Sequence, residues 1–311
     1  MATILITGGT GLVGKALTKK LLRAGHSVIV LTRKVPVVTS IPGIRYASWD
    51  IDRKAISLEA LQQADHIIHL AGAGVVDKKW TPAYQKEIQD SRTESSRLLV
   101  DTLRQNRHGV KSIISMSAIG WYGADKDPSR SFEETDPSDT NFLGETCRLW
   151  EESISPVAEL GIRLVKLRTG IVLDNEGGAL AEFKKPLRFG VAAILGNGKQ
   201  IISWIHIDDL CRMMMHAVEQ QNLQGVFNAV APVPVNNRTL TLTLAKLMRG
   251  RLYAAVHVPS FLLTLILGKR SVEVLKSATV SCKKIQDTGF RFTYPGIEDA
   301  LKNLVGKQVR S

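Results

Sequence analysis

The 311-residue sequence predicts an α/β fold, a doubly wound parallel sheet with a smaller C-terminal substrate or cap region. Three observations predict it. A β-branched run, Ile4 to Thr7, stops at a glycine cluster and passes directly into an amphipathic helix pattern from Leu12 to Arg23. Short apolar runs then alternate with helical patterns as far as residue 167. Past Gly170 the alternation breaks into short pieces punctuated by Gly177, Gly178, Gly190, Gly196 and Gly198. Alternation of this kind implies parallel strands joined by right-handed helical crossovers, with helices on both faces.

Strands are expected near 3–7, 27–32, 44–48, 66–70, 111–116 and 163–167. Helices are expected near 12–24, 57–63, 82–107 and 143–160. Right-handed crossovers place the C-terminal strand ends on one edge, where ligands bind. That edge collects Gly8–Gly14, Arg33, Asp50, Ala71-Gly72 and Ser115–Ser117. Further on, Gln200 to His206 reads as a strand leading into a helix that Asp208 or Asp209 caps. Pro232 and Pro234 mark a linker, and the chain becomes helical again from about residue 240. The expected division is residues 1–235 for the nucleotide-binding part, with cap insertions at about 171–200, and 236–311 for a C-terminal cap.

Strand, tight glycine turn and helix in that order are the context a dinucleotide-binding fingerprint requires. Gly8 or Gly9 permits the sharp turn, Gly11 lets the backbone approach a pyrophosphate, and Gly14 lets helix and strand pack closely. The helix N-terminus offers free N–H groups and a positive dipole end to the anion. Thr10, Leu12 and Val13 complete the candidate turn, and the fold expected is therefore Rossmann-like. The second strand chooses the cofactor. NAD binders carry an acid about 20 residues past the fingerprint, where it bonds the ribose hydroxyls. Here the run ends in Thr32, Arg33 and Lys34, with no acid. A guanidinium grips a 2′-phosphate that a carboxylate would repel, so the pattern predicts NADP(H). Asp50, ending the third strand, is the candidate adenine contact, and Leu70, Ala71 and Gly72 complete the cofactor set.

Bulk properties narrow the class. Hydrophobic content of 44% and charged content of 23% are ordinary for a globular protein. No run of about 18 apolar residues is present, so no membrane partner is expected. The first strand begins at once, which leaves no room for a signal peptide. Cys147, Cys211 and Cys282 lie far apart with no C-x-x-C pair, a pattern that fits free thiols in a reducing cytoplasm and no metal site. The net charge of +12 suits an anionic ligand, yet the bases are scattered pairs such as Lys19-Lys20 and Lys283-Lys284. With no aromatic-rich RNA motif beside them, nucleic acid is not the expected partner.

Four segments resemble the extended short-chain dehydrogenase/reductase superfamily: Thr7–Gly14, His69–Gly72, Ser115–Gly123 and Ser203–Asp209. Within it the chain resembles the atypical, sugar-nucleotide-epimerase-like branch called epimerase family protein. Trp204-Ile-His206, Trp150-Glu151 and the tail Gly289-Phe-Arg-Phe-Thr-Tyr-Pro295 carry that likeness. It implies a Rossmann-like NADP-binding fold, a small-molecule substrate and a homodimer built on the 82–107 and 143–160 helices. It names no substrate.

Superfamily members that transfer hydride use a Ser or Thr after the fifth strand and a Tyr-x-x-x-Lys on the next helix. The ammonium lowers the phenol pKa and holds the nicotinamide ribose. Ser117 fits the first role. The helix that should carry the pair has Phe142 and Leu143 at the tyrosine site and Thr146 and Cys147 at the lysine site. Tyr122-Gly-Ala-Asp-Lys126 repeats the spacing, but in loop composition, so Tyr122 alone joins Ser117 as a catalytic candidate. Glu133, Glu134, Cys147, His206 and Arg168 are secondary candidates, for which solvated, core, capping or ion-pair roles are the simpler reading. The function expected is an NADP(H)-dependent oxidoreductase or epimerase-like enzyme on a small polar substrate, with a non-catalytic NADPH-binding sensor as the alternative.

Overall fold

The computed structural model describes residues 1–36, 41–127 and 129–306. Its elements, in order, begin with β1 (Thr3–Thr7), α1 (Leu12–Arg23), β2 (Ser27–Thr32), β3 (Ile44–Asp50), β4 (Ala55–Ile56), α2 (Leu58–Gln62) and β5 (His66–His69). Next come α3 (Pro82–Gln105), β6 (Ser112–Ala118), a 3-10 turn (Ile119–Tyr122), α4 (Phe142–Ile154), β7 (Arg163–Thr169), β8 (Ile171–Leu173), α5 (Gly178–Leu187) and β9 (Val191–Leu195). The rest is β10 (Ile201–Ile202), β11 (Trp204–His206), α6 (Ile207–Glu219), β12 (Gly225–Ala229), β13 (Val235–Asn236), α7 (Asn237–Arg249), β14 (Ala254–Val258), α8 (Ser260–Leu267), α9 (Ser271–Leu275), α10 (Lys283–Asp287) and α11 (Ile297–Gly306).

The main sheet runs β4-β3-β2-β1-β5-β6-β7-β12, parallel throughout except for β4. The six strands expected from the sequence are its core. The seventh parallel strand, β12, lies in a stretch that sequence periodicity leaves unassigned. The strand order reverses at β1, between β2 and β5, so the crevice outside the C-terminal ends of β1 and β5 is the ligand position in such sheets.

Alternating side chains cover both faces. Ile4, Ile6, Val28, Val30 and Ile68 face one way and pack with Leu17 and Leu21 of α1 and with Met213 and Met214 of α6. Leu5, Ile29, Leu31 and Ile67 face the other way, against Leu61 of α2, Leu98, Leu99 and Leu103 of α3 and Ile154 of α4. The first cluster continues through Leu240 and Leu244 of α7 to Leu301 and Leu304 of α11, so the C-terminal segment shares a core with the sheet.

Three boundaries differ from the sequence reading, each for a local reason. The helix expected over 143–160 ends at Ile154, and a 3-10 turn with Pro156 near its start replaces the rest. The strand expected over 200–206 splits at Ser203, whose buried hydroxyl donates to the Ala278 carbonyl and accepts the Val280 amide. The N-cap of α6 is His206, whose Nδ1 accepts the Asp208 amide. Asp208 pairs instead with Lys20, while fully buried Asp209 accepts the Thr293 and Tyr294 amides and pins the tail to α6. Among the described residues no helix is long and apolar enough to cross a membrane.

Candidate functional site

The glycine turn after β1 has two constrained positions. Gly8 holds φ +68, a backbone conformation open to glycine, and it lies against Leu70 and Ala71. At Gly14 a Cβ would stand 2.5 Å from Gly9 Cα and closer still to the Gly8 carbonyl oxygen. Gly11 is different: a Cβ there would meet only Gly8 O, at 3.3 Å, with open space beyond. Gly11 is also the N-cap of α1, with no side-chain cap and no acid in the first turn. Thr10 and Gly11 are exposed, with Leu12 and Val13 half-buried behind them. Free backbone amides at an uncapped helix N-terminus form a cradle of the kind that suits an anion.

Beneath the cradle Thr7 ties β1 to β5. Its hydroxyl oxygen accepts the amides of Leu70 (3.1 Å) and Ala71 (3.2 Å), which fixes the loop that forms the far wall. With both lone pairs taken, the hydroxyl donates to His69 Nδ1 at 2.7 Å. His69 Nε2 then donates to Ser96 Oγ, at 3.2 Å, whose own proton goes to the Arg92 carbonyl. His69 is fully buried, and burial pushes its imidazole down to about 3. The unfolded imidazole titrates near the ordinary histidine value of 6.5, so below that pH the unfolded state binds the extra proton and stability falls. Urea unfolding should show wild-type losing about 2 kcal/mol more than His69→Asn between pH 6.5 and 5. Equal pH slopes for the two proteins would contradict this assignment.

At the end of β2, Arg33 and Lys34 are exposed and Thr32 is half-buried. Arg33 has no ion pair among the described residues. The Thr32 hydroxyl is engaged locally, donating to the Lys34 carbonyl at 3.2 Å. Asp50, at the end of β3, accepts the Arg53 amide at 3.0 Å and keeps a partly exposed carboxylate.

Ser117 lies at the C-terminal end of β6, as the sequence reading puts it, and Tyr122 closes the 3-10 turn that follows. Both are 1% exposed, and their hydroxyls are taken up by protein partners. Ser117 donates to Glu151 Oε1 at 2.8 Å. Glu151 also takes two bonds from Arg168, at 2.8 and 3.1 Å, which makes Arg168 one half of a buried ion pair. The Arg168 guanidinium lies 3.6 Å from the Trp121 ring centre and donates to Tyr122 Oη at 3.1 Å. Tyr122 in turn donates to Asn228 Oδ1 at 2.6 Å, and burial pushes its phenol up to about 12. The network locks the 3-10 turn, β7 and β12 together. Gly123, at φ +73, turns the chain away after Tyr122, so Lys126 forms no helical stack on the tyrosine.

On α4 the Gly120 Cβ position would meet Leu143 Cβ at 3.2 Å and Cys147 Sγ at 3.6 Å. Of the positions that the resemblance assigns to a Tyr-x-x-x-Lys pair, Leu143 and Cys147, four apart, face this turn. Cys147 is buried and its thiol is pushed up to about 11 by desolvation, which argues against a nucleophile. Glu134 accepts the Asn228 amide at 2.7 Å and so belongs to the same scaffold. All three cysteines are free and buried, and no cluster of metal-ligating side chains occurs among the described residues.

Comparison with known proteins fits this architecture. An epimerase family protein of Staphylococcus saprophyticus is 35% identical over 308 residues, spanning 98% of this chain and 100% of the relative. The chain belongs to the epimerase family. The model of the NAD dependent epimerase/dehydratase family matches residues 4–143, and a domain of unknown function, DUF1731, matches residues 258–304. Among solved structures, the human epimerase family protein SDR39U1 (isoform 2), determined with NADPH, superposes with a TM-score of 0.85 at 28% identity, covering 98% of this chain and 99% of that one. A nucleoside-diphosphate sugar epimerase from Corynebacterium glutamicum gives a TM-score of 0.77 at 30% identity, over 98% of this chain and 58% of its own. The epimerase-family segment 4–143 covers the cradle, β5 and the Ser117 turn; the second match starts at the end of β14.

Sequence reasoning missed Asn228 and used Glu151 and His69 as marks of resemblance without giving either a role. The signal for Glu151 was present: Cys147, Trp150, Glu151 and Ile154 form one buried face of α4, and a lone carboxylate in an apolar stripe demands a buried partner.

Proposed function

We propose that this epimerase family protein binds NADP(H) and acts as an epimerase-like oxidoreductase on a small polar substrate of the sugar-nucleotide kind. One observation carries the reading: the uncapped N-terminus of α1 at Gly11 stands with an exposed Arg33 at the end of the neighbouring strand, and Arg33 has no ion pair among the described residues. The open space above Gly11 fits a pyrophosphate, and Arg33 with Lys34 fits a 2′-phosphate. Gly8–Gly14 would hold the pyrophosphate, Asp50 the adenine side, and Leu70–Gly72 the nicotinamide side. NADPH in the human relative and the sugar-nucleotide name of the Corynebacterium relative support the same assignment. When bound, the nicotinamide gives or takes a hydride.

In this reading Ser117 and Tyr122 are positioning residues. Their hydroxyls hold Glu151 and Asn228, and through them the turn Ile119–Tyr122 that faces α4. Ser117→Ala should therefore keep turnover within about tenfold of wild type. Loss of a general acid or base would cost about 100- to 10,000-fold, and a loss of that size would return Ser117 to the chemistry. Turnover itself is tested by following NADPH oxidation, and sugar products, against a panel of nucleotide sugars.

A second reading, an NADPH-binding sensor without turnover, is favoured by Phe142 and Leu143, with Thr146 and Cys147, where the resemblance expects a tyrosine and a lysine. Tight NADPH binding with neither cofactor oxidation nor epimerised product across the panel would select it.

A further inference from the structure

Arg92 is the anomaly of the cleft. It lies on the inward face of α3 with Ile88, Ser95, Ser96 and Leu99, where a helix normally buries apolar groups. Arg92 is 9% exposed. Among the described residues its guanidinium makes one hydrogen bond, from Nη1 to the Ile88 carbonyl at 2.7 Å, and it lies 5.0 Å from the Trp150 ring centre. No carboxylate pairs with it among the described residues. Buried Arg168 and half-buried Arg163 are provided for. Arg168 has Glu151, and Arg163 donates to the carbonyls of Ala217, Val218 and Leu223. A largely buried cation whose donors mostly lack a partner among the described residues is costly unless something else takes them.

Its position names the candidate. The Gly72 Cβ direction meets Arg92 Cζ at 3.2 Å and Nε at 3.4 Å. Gly72 is exposed, at the end of β5 on the crevice. The charge of Arg92 is also felt at the Cys147 thiol across on α4. The guanidinium therefore stands between the loop after β5 and the α4 position where this chain has Cys147 in place of a lysine.

Resting on the NADP(H) reading above, we propose that Arg92 binds the ribose on the nicotinamide side of the cofactor. It supplies from α3 the cation that α4 lacks, and its free N–H groups donate to the ribose hydroxyls. The role is binding and orientation, and no proton is transferred.

The test uses two ligands on the full chain, by calorimetric titration. NADPH carries the nicotinamide riboside; 2′-phospho-ADP keeps the adenine, the 2′-phosphate and the pyrophosphate and lacks it. Arg92→Met, which keeps the packing on Trp150, should bind NADPH about 10- to 100-fold more weakly and 2′-phospho-ADP within about twofold of wild type. Arg92→Lys should fall between, and it serves if the Met variant does not fold. Equal weakening of both ligands, or no change in either, would overturn the assignment to the ribose. If wild type binds neither ligand, the NADP(H) reading itself fails, which is a separate outcome.

Discussion

Gly14→Ala should abolish tight NADPH binding, with a loss of at least about 100-fold, and should destabilise the fold by about 1–3 kcal/mol, the usual cost of overpacking. The cause is steric and local. The added methyl would stand 2.5 Å from Gly9 Cα and 2.7 Å from its carbonyl carbon, so the first turn of α1 must move off the glycine loop. That movement displaces the amides that form the cradle. Gly11→Ala is the companion. Its methyl meets only Gly8 O, at 3.3 Å, and projects into the open side. It should unfold like wild type and still bind NADPH poorly, because the methyl occupies the pyrophosphate's approach. Titration and urea unfolding on both variants separate the two effects. A Gly14→Ala protein with wild-type affinity would refute the close-packing argument.

The second large effect is expected at Glu151. Its side chain is 5% exposed and accepts from Ser117 and, twice, from Arg168. Glu151→Ala leaves the Arg168 guanidinium, 3% exposed, without its counter-charge. Breaking a buried pair in this way costs about 3–5 kcal/mol. Replacing both partners with apolar residues of similar size, Glu151→Leu with Arg168→Met, should recover most of the loss, because the cost lies in the stranded charge rather than in the missing attraction. Urea unfolding of the single and double variants measures both. A Glu151→Ala loss below about 1 kcal/mol would mean that water reaches the pair.

These two sites also mark how far the sequence could be read. The glycine turn was legible because its chemistry is local: strand, glycines and helix lie within 23 residues, and backbone geometry alone dictates the residue types. The six strands of strong period were legible for the same reason. β12 was not, because Gly225–Ala229 is five residues long, carries buried Asn228 and runs straight into Pro232. Its pairing with β7 is a long-range choice that no local pattern encodes. The roles given to Ser117 and Tyr122 rested on their place after a strand. Where the hydroxyls point is decided by Glu151, Arg168 and Asn228, which are 34 residues or more away from the groups they meet in three of these contacts and 17 in the Arg168–Glu151 pair. The reading of Asp208 and Asp209 as caps failed similarly, since the residue that took Asp209 lies in the tail, 84 positions on. Arg92 shows the converse. A basic residue in an inward helical stripe is visible in the sequence, but its lack of a counter-charge appears only in the fold.

The proposed cleft selects NADP(H) through Arg33. The most direct test is calorimetric titration of NADPH and NADH into wild type and Arg33→Asp. Wild type should bind NADPH at least about tenfold more tightly than NADH, as loss of a charge-assisted phosphate contact of about 1.5–3 kcal/mol implies. Arg33→Asp should lose that preference while NADH binds no worse. Equal affinity for the two cofactors in wild type, or a preference that survives Arg33→Asp unchanged, would contradict the account.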